Sequence, residues 1–192
     1  MTDAELKKTA GNSKTLEMTL AALMAALTAV CSWVTIPATI PVTLQTFAVF
    51  LTLMVLGGRM GTVSILLYIC IGAAGVPVFA GFKGGLSVLV GPTGGYILGF
   101  LFCGLIYMAF GKLIKKGLVF EISALVLGLI VCYAFGTIWF IIAMDIKEKV
   151  YSLGAALSAC VMPFIIPDLL KLTAAVTIAK QLKRMGMIKK QV

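Results

Sequence analysis

The sequence predicts an all-α integral membrane bundle of six transmembrane helices, on the basis of its composition and of the spacing of its charges. Hydrophobic residues make up 61% of the chain and charged residues 12%, about half the charged share of a typical soluble domain. Uncharged stretches cover residues 18–58, 60–82, 84–111, 122–144 and 150–167. Because a membrane-spanning helix needs about 20 apolar residues, the first stretch can hold two helices and each of the others one.

The spans are separated by prolines, glycines and charges, which fixes their approximate limits. We place them at residues 16–34, 47–56, 62–74, 93–110, 118–143 and 155–182. Together they form a single transmembrane domain over residues 1–192, with a polar cytoplasmic N-terminal segment at residues 1–15.

The positive charges predict how the bundle is oriented. With the N-terminus inside, the 16 Lys and Arg residues divide into twelve inside, three outside and one, Lys171, within a span. The inner set is Lys7, Lys8, Lys14, Arg59, Lys112, Lys115, Lys116, Lys180, Lys183, Arg184, Lys189 and Lys190, and the outer set is Lys83, Lys147 and Lys149. This positive-inside bias predicts that both termini are cytoplasmic. Since the cations lie in loops between apolar spans, the net charge of +9 does not indicate nucleic-acid binding.

The first span carries two ladders of small residues. Alanines recur at a spacing of four residues, as Ala22 with Ala26 and as Ala21 with Ala25 and Ala29. Small residues at this spacing allow another helix to approach closely. The ladders could therefore pack within the bundle or dock a partner membrane subunit, and the residues alone leave both possibilities open.

The loop before the second span, residues 36–46, is predicted to be stiff and extended. Pro37 and Pro41 each fix their own φ and lack a backbone donor. Just after them, Thr43 and Gln45 bring hydrogen-bonding side chains to the edge of the membrane.

A glycine-rich outer loop joins the third and fourth spans. Residues 75–96 contain seven glycines and two prolines. Irregular backbone beside a membrane is tolerated only where it packs in protein or lines a cavity, so we expect this loop to lie over the mouth of the bundle like a lid. Its last part, residues 91–96, includes Thr93 and Tyr96 and opens the fourth span with free backbone N–H groups. Those groups could bind a polar or anionic ligand group, or the glycines could serve only the turn.

Aromatic residues in the fifth span have two interpretations. Tyr133 and Trp139 lie toward its outer half, where an interfacial belt is the commoner role. They could instead stack on a ring of a ligand bound in the bundle.

The sixth span holds an acid and a base inside an apolar stretch. Asp168 and Lys171 are three residues apart, so a helix places them on one face. Lys171 lies about 14 Å and Asp168 about 18 Å above the Lys180 boundary, near the middle of a core about 30 Å thick. Pro163 and Pro167 break the helix beside them. Since an ionisable group at this depth costs roughly 2.5–3.5 kcal/mol, such residues usually mark a substrate or ion path.

Enzymatic and metal-dependent functions are not expected. The chain has no His, and its five cysteines each stand alone in a span, which excludes the usual zinc sites and predicts no cofactor. There is no Gly-x-Ser-x-Gly turn and no phosphate-binding loop. If transport consumes ATP, another subunit must supply it.

Four segments in this order resemble the BioY family, the biotin-specific S components of energy-coupling factor (ECF) transporters. They are VTLQTF at 42–47, GAAGVPVFAG at 72–81, GPTGGYILGF at 91–100 and PDLLK at 167–171. The resemblance spans about residues 16–182. It implies a six-helix bundle in a prokaryotic cell membrane that captures biotin tightly from outside. It also implies docking, through the ladder of Ala22 and Ala26, on one transmembrane coupling subunit (EcfT-like) and two ATPase subunits.

The resemblance also implies roles at the site. Asp168 would accept from a ureido N–H of biotin, and Lys171 would donate to the ureido oxygen or meet the tail carboxylate. The remaining expected contacts are polar ones from Thr43, Gln45, Thr93 and Tyr96 and ring packing by Phe79, Tyr133 and Trp139.

Three other functions compete with this one. An S component for another vitamin, such as thiamine or riboflavin, would share the bundle but not the pocket. An ion-coupled secondary carrier would show internal repeats, and we find no convincing repeat between the halves. A purely structural subunit would leave the Asp168–Lys171 pair unexplained, because buried ion pairs are poor stabilisers.

Overall fold

The fold is a bundle of long apolar helices, known here from a computed structural model that describes residues 3–113, 117–146 and 148–186. In these ranges, five helices are long and apolar enough to cross a membrane. They are Lys14–Trp33, Gln45–Ala73, Gly94–Gly111, Leu118–Asp145 and Leu153–Arg184. The predicted all-α membrane class is confirmed. Among the residues in the charge count, Lys115, Lys116, Lys147, Lys189 and Lys190 lie outside the described residues.

Seven helices and two short strands make up the described chain. In order they are α1 (Asp3–Trp33), β1 (Thr35–Ile36), β2 (Val42–Thr43), α2 (Gln45–Ala73), α3 (Leu86–Val90), α4 (Gly94–Leu113), α5 (Leu118–Asp145), α6 (Leu153–Cys160) and α7 (Met162–Arg184). The first helix begins at Asp3 rather than near residue 16, so it runs through most of the segment that the sequence sets apart as polar.

Helix α2 is two antiparallel halves joined at Gly57. Gly57 has φ 78° and ψ 174°, in the region that glycine adopts at little cost. Beyond it the chain doubles back. The two halves then lie so close that a Cβ added at Gly61 would be 3.1 Å from the Cα of Leu53. Further from the turn, Gln45 Nε2 donates to the Tyr68 hydroxyl at 2.9 Å. The halves match the predicted second and third spans, so the five long helices of the described chain account for six spans.

The last span is broken where its prolines predict a kink. Helix α6 ends at Cys160 and α7 begins at Met162, with Val161 between them at φ −122° and ψ −53°. Pro163 follows at the start of α7, where its missing N–H is not needed. Pro167 lies inside α7, one residue before Asp168.

Packing decides which alanine ladder of α1 faces the bundle. Ala21, Ala25 and Ala29 are 3%, 4% and 6% exposed and lie in the core. Ala22 and Ala26 are exposed on the outside of the bundle. Internal packing therefore applies to the ladder of Ala21, Ala25 and Ala29. The ladder of Ala22 and Ala26 is left free for a partner.

Glycines bring α4 and α5 into close contact. A Cβ added at Gly95 would lie 2.3 Å from the Cβ of Trp139, and one at Gly99 would lie 3.2 Å from the Cα of Cys132. Small residues permit such approaches between membrane helices. The contact fixes how Tyr133, the residue after Cys132, is presented to α7.

Candidate ligand-binding site

The glycine-rich loop folds back over one end of the bundle. The Val78 carbonyl accepts hydrogen bonds from the Ser32 hydroxyl at 2.5 Å and from the Tyr68 hydroxyl at 3.0 Å. The Trp33 indole N–H donates to the Pro77 carbonyl at 2.9 Å, and its ring stacks on Phe82 at a centroid distance of 5.0 Å. The loop is therefore tied to the end of α1, as expected for a lid.

The other end of the loop is tied to α5. The Trp139 indole N–H donates to the Gly91 carbonyl at 3.1 Å. The predicted extended loop forms a small hairpin in which Thr35 pairs with Thr43 and Ile36 with Val42. The loop is thus held by side-chain donors to its backbone carbonyls, and the hairpin by its own backbone pairing.

A cavity of about 100 Å³ lies beneath these segments. Its lining comes from both loops and from α2, α4, α5, α6 and α7. The lining residues are Ile40, Pro41, Thr43, Gln45, Thr46, Phe79, Ala80, Lys83, Val88, Thr93, Tyr96, Ile97, Phe100, Leu129, Cys132, Tyr133, Cys160, Phe164 and Asp168. Most of these side chains are apolar, as in small-molecule sites generally, with a few polar groups at fixed places.

Asp168 is the buried charge at this cavity. Its side chain is fixed at both oxygens, since Oδ1 accepts from Lys171 Nζ at 2.7 Å and Oδ2 from the Tyr133 hydroxyl at 2.6 Å. Asp168 is 1% and Lys171 8% exposed. A carboxylate has about four acceptor sites, so Asp168 can accept further hydrogen bonds from a ligand. Both side chains are buried, and the cavity lies directly beside Asp168.

Seven of the nine predicted binding residues line the cavity. They are Thr43, Gln45, Phe79, Thr93, Tyr96, Tyr133 and Asp168. Several are fixed by further contacts: the Tyr96 and Thr137 hydroxyls are 3.1 Å apart, and Phe79 packs edge-on against Tyr68. The structure therefore brings together residues that are up to 125 positions apart in sequence.

Lys171 and Trp139 are placed differently from the other seven predicted residues. Neither is among the described residues that line the cavity. Lys171 stands behind Asp168, and Trp139 binds the backbone of the loop at Gly91. Neither the belt interpretation nor the ring-stacking interpretation of Trp139 describes this contact.

Sequence reasoning missed part of the lining although a local signal was present. Phe100 follows Tyr96 by four residues, Leu129 precedes Tyr133 by four, and Phe164 precedes Asp168 by four. Residues at this spacing share one helix face. Extending each predicted site residue by one helical turn would have found these apolar walls.

A metal centre has no evident ligands in this part of the molecule. Within residues 3–113, 117–146 and 148–186, no three His, Cys, Asp or Glu side chains are grouped to hold an ion. The site's chemistry is instead that of a carboxylate, hydroxyls and an amide set in apolar walls.

These features define a class: an integral membrane bundle that encloses a small-molecule site beside a buried ion pair. A sequence model described as the BioY family matches residues 4–187. The chain belongs to the BioY family.

Curated relatives agree over most of the chain. It is 39% identical over 142 residues to the biotin transporter BioY of Thermotoga maritima, covering 74% of this chain and 80% of that protein. It is 41% identical over 140 residues to the probable biotin transporter BioY of Pyrococcus horikoshii, covering 73% and 78%.

A solved structure has the same fold. It is described as the S-component for biotin from an ECF-type ABC transporter. The match has a TM-score of 0.79 and 27% identity and covers 96% of this chain and 95% of that chain.

Proposed function

We propose that this chain is the biotin-binding S component of an ECF-type ABC importer. In this role it captures biotin tightly from outside the cell and passes it on through a coupling and ATPase module. The observation that carries the proposal is the cavity beside Asp168, a buried carboxylate with spare acceptor capacity. The similarity to biotin transporters and to a biotin S-component supports the choice of ligand.

Asp168 is the residue that recognises the ureido ring. That ring presents two N–H donors and one carbonyl oxygen beside an apolar sulfur-containing ring. Because Lys171 and Tyr133 hold one carboxylate oxygen each, the remaining acceptor sites point in fixed directions and need no reorganisation on binding. Hydrogen bonds to a charged acceptor are stronger than neutral ones and contribute about 1.5–3 kcal/mol each.

Lys171 acts on the ligand through Asp168. Its ammonium group neutralises the carboxylate, and a buried charge left unpaired is strongly destabilising. Since Lys171 lies outside the described cavity lining, we assign it to pairing with Asp168 and orienting it rather than to the ureido oxygen or the tail carboxylate.

The other predicted residues complete the pocket. Thr43, Gln45 and Thr93 supply polar contacts, and Phe79 and Tyr133 pack on the rings. The Tyr96 hydroxyl meets Thr137, so it contributes chiefly its ring. In place of ring packing, Trp139 secures the lid by its bond to Gly91.

The chain works as one membrane unit with partner subunits. Both termini lie in the cytoplasm of a prokaryotic cell in this proposal, which the positive-inside bias supports. The exposed pair Ala22 and Ala26 lets a transmembrane coupling subunit approach α1 closely. Two ATPase subunits supply the energy, as the resemblance to ECF S components implies. The sequence itself has no nucleotide-binding loop. The chain is accordingly a transport subunit and not an enzyme.

Titration of the purified protein in detergent with biotin tests the proposal, with thiamine and riboflavin as matched vitamins. We expect saturable binding of biotin alone, measured by calorimetry. Binding of thiamine or riboflavin in its place would assign the chain to another vitamin. Biotin uptake by proteoliposomes that lack any ATPase would instead favour an ion-coupled secondary carrier.

A further inference from the structure

A second charge borders the cavity, on the glycine-rich loop that covers it. Lys83 lines the cavity from the glycine-rich loop and is exposed, whereas Asp168 is 1% exposed. The backbone of Lys83 is fixed, because its carbonyl accepts from the Phe79 N–H at 2.9 Å and its N–H donates to the Phe79 carbonyl at 3.3 Å. The cavity is therefore lined by a buried acid on α7 and by an exposed base on the covering loop, and we call these two places its inner and outer ends.

Lys83 has no acidic partner in the described part of the chain. The ion pairs found there join Lys171 to Asp168 and Lys183 to Glu121. The ammonium group at the outer end is thus available to a ligand.

The wall between the two ends is apolar. It is formed by Phe79, Val88, Ile97, Phe100 and Phe164. A ligand that fills the cavity must carry hydrogen-bond donors at one end, an apolar middle, and an acceptor or negative charge at the other end. This pattern orients an elongated ligand and distinguishes its two ends.

We propose that Lys83 binds the carboxylate at the end of the ligand's tail, so that the ligand enters with its ring first and leaves its acid at the lid. The inference rests on the proposed function, since it takes biotin as the ligand. It makes Lys83 a specificity residue that distinguishes the free acid from its neutral amides and esters. It also separates the two lysines: Lys171 serves Asp168 and Lys83 serves the tail.

The test compares biotin with biotinamide, in which the carboxylate is replaced by a neutral carboxamide. Both ligands are titrated into the wild-type protein and into Lys83→Met, Lys83→Arg and Lys149→Met. Lys149 is exposed and lies outside the described cavity lining, so its variant loses the same net charge without touching the site. The side chain of Lys83 is exposed and its loop bonds are made by backbone, so the variants should fold, which the thermal unfolding temperature checks.

At low ionic strength we expect the wild-type protein to prefer biotin over biotinamide by about fivefold, the range of an exposed ion pair. Lys83→Met should abolish that preference by weakening biotin alone. Lys83→Arg should keep it, Lys149→Met should leave it unchanged, and added salt should shrink it in the wild-type protein.

The proposal is overturned if the wild-type protein binds the acid and the amide equally, or if Lys83→Met keeps the wild-type preference. In either case biotin binding at Asp168 would still stand. Failure of the wild-type protein to bind biotin at all would overturn the proposed function and this inference with it.

Discussion

Replacing Asp168 by Asn removes the buried negative charge and keeps the size and shape of the side chain. Each hydrogen bond that the ureido ring loses to a charged acceptor is worth about 1.5–3 kcal/mol. At 1.4 kcal/mol per factor of ten, biotin should bind between about tenfold and 150-fold more weakly.

The same change leaves the Lys171 ammonium group without its counter-charge. Removing one partner of a buried ion pair costs about 3–5 kcal/mol. An asparagine carbonyl can still accept from Lys171 Nζ, now 2.7 Å from the carboxylate, so we expect a loss of stability toward the lower end of that range and a protein that still folds in detergent.

A double variant separates binding from stability. Asp168→Asn with Lys171→Met carries no unpaired charge, so its unfolding temperature should recover toward that of the wild-type protein. Its affinity for biotin should stay as low as that of the single variant. Calorimetry gives the affinity, and thermal unfolding without ligand gives the stability.

Two results would refute this reasoning. Wild-type affinity in Asp168→Asn would show that the carboxylate does not contact the ligand. Recovery of affinity in the double variant would show that the ion pair only keeps the bundle in shape.

Three further changes test the docking face, the lid and the packing. Ala22→Trp should block biotin uptake in cells with the complete transporter but leave binding intact, whereas Leu23→Trp on the same helix should leave both uptake and binding intact; normal uptake in the first variant places docking elsewhere. Trp33→Leu removes the lid's indole bond and stacking, so biotin should dissociate several-fold faster in stopped-flow measurements, and an unchanged rate argues against a lid. Gly95→Ala should lower stability by about 1–3 kcal/mol through overpacking, while Gly111→Ala, which meets no atom within 4 Å, should not; equal thermal shifts would contradict the close α4–α5 contact.

Local spacing was enough to predict the ion pair beside the cavity. Asp168 and Lys171 are three residues apart on a helix, and the structure shows them in contact at 2.7 Å. The reversal at Gly57 and the break before Pro163 also follow from local backbone preferences. Each of these features depends on residues within about two helical turns of one another.

Features that depend on how helices face one another could not be predicted. The Tyr133 bond to Asp168 joins residues 35 positions apart, and it depends on glycine contacts that set the rotation of α5. The two alanine ladders of α1 consist of one residue type, so only packing shows that Ala22 and Ala26 face outward. Lys83 looks in sequence like an ordinary loop charge, because the glycine-rich pattern predicts that its loop covers the bundle mouth but not that its side chain borders the cavity.

The claim that Asp168 accepts from the ureido ring is tested most directly with biotin methylated at its ureido nitrogens. Methylation removes the N–H donors and adds bulk, and the bulk should be felt equally by wild-type protein and by Asp168→Asn. We expect methylation to weaken binding at least tenfold more in the wild-type protein than in the variant, because only the wild-type protein has a charged acceptor to lose. An equal loss in both proteins would contradict a hydrogen bond between Asp168 and the ligand.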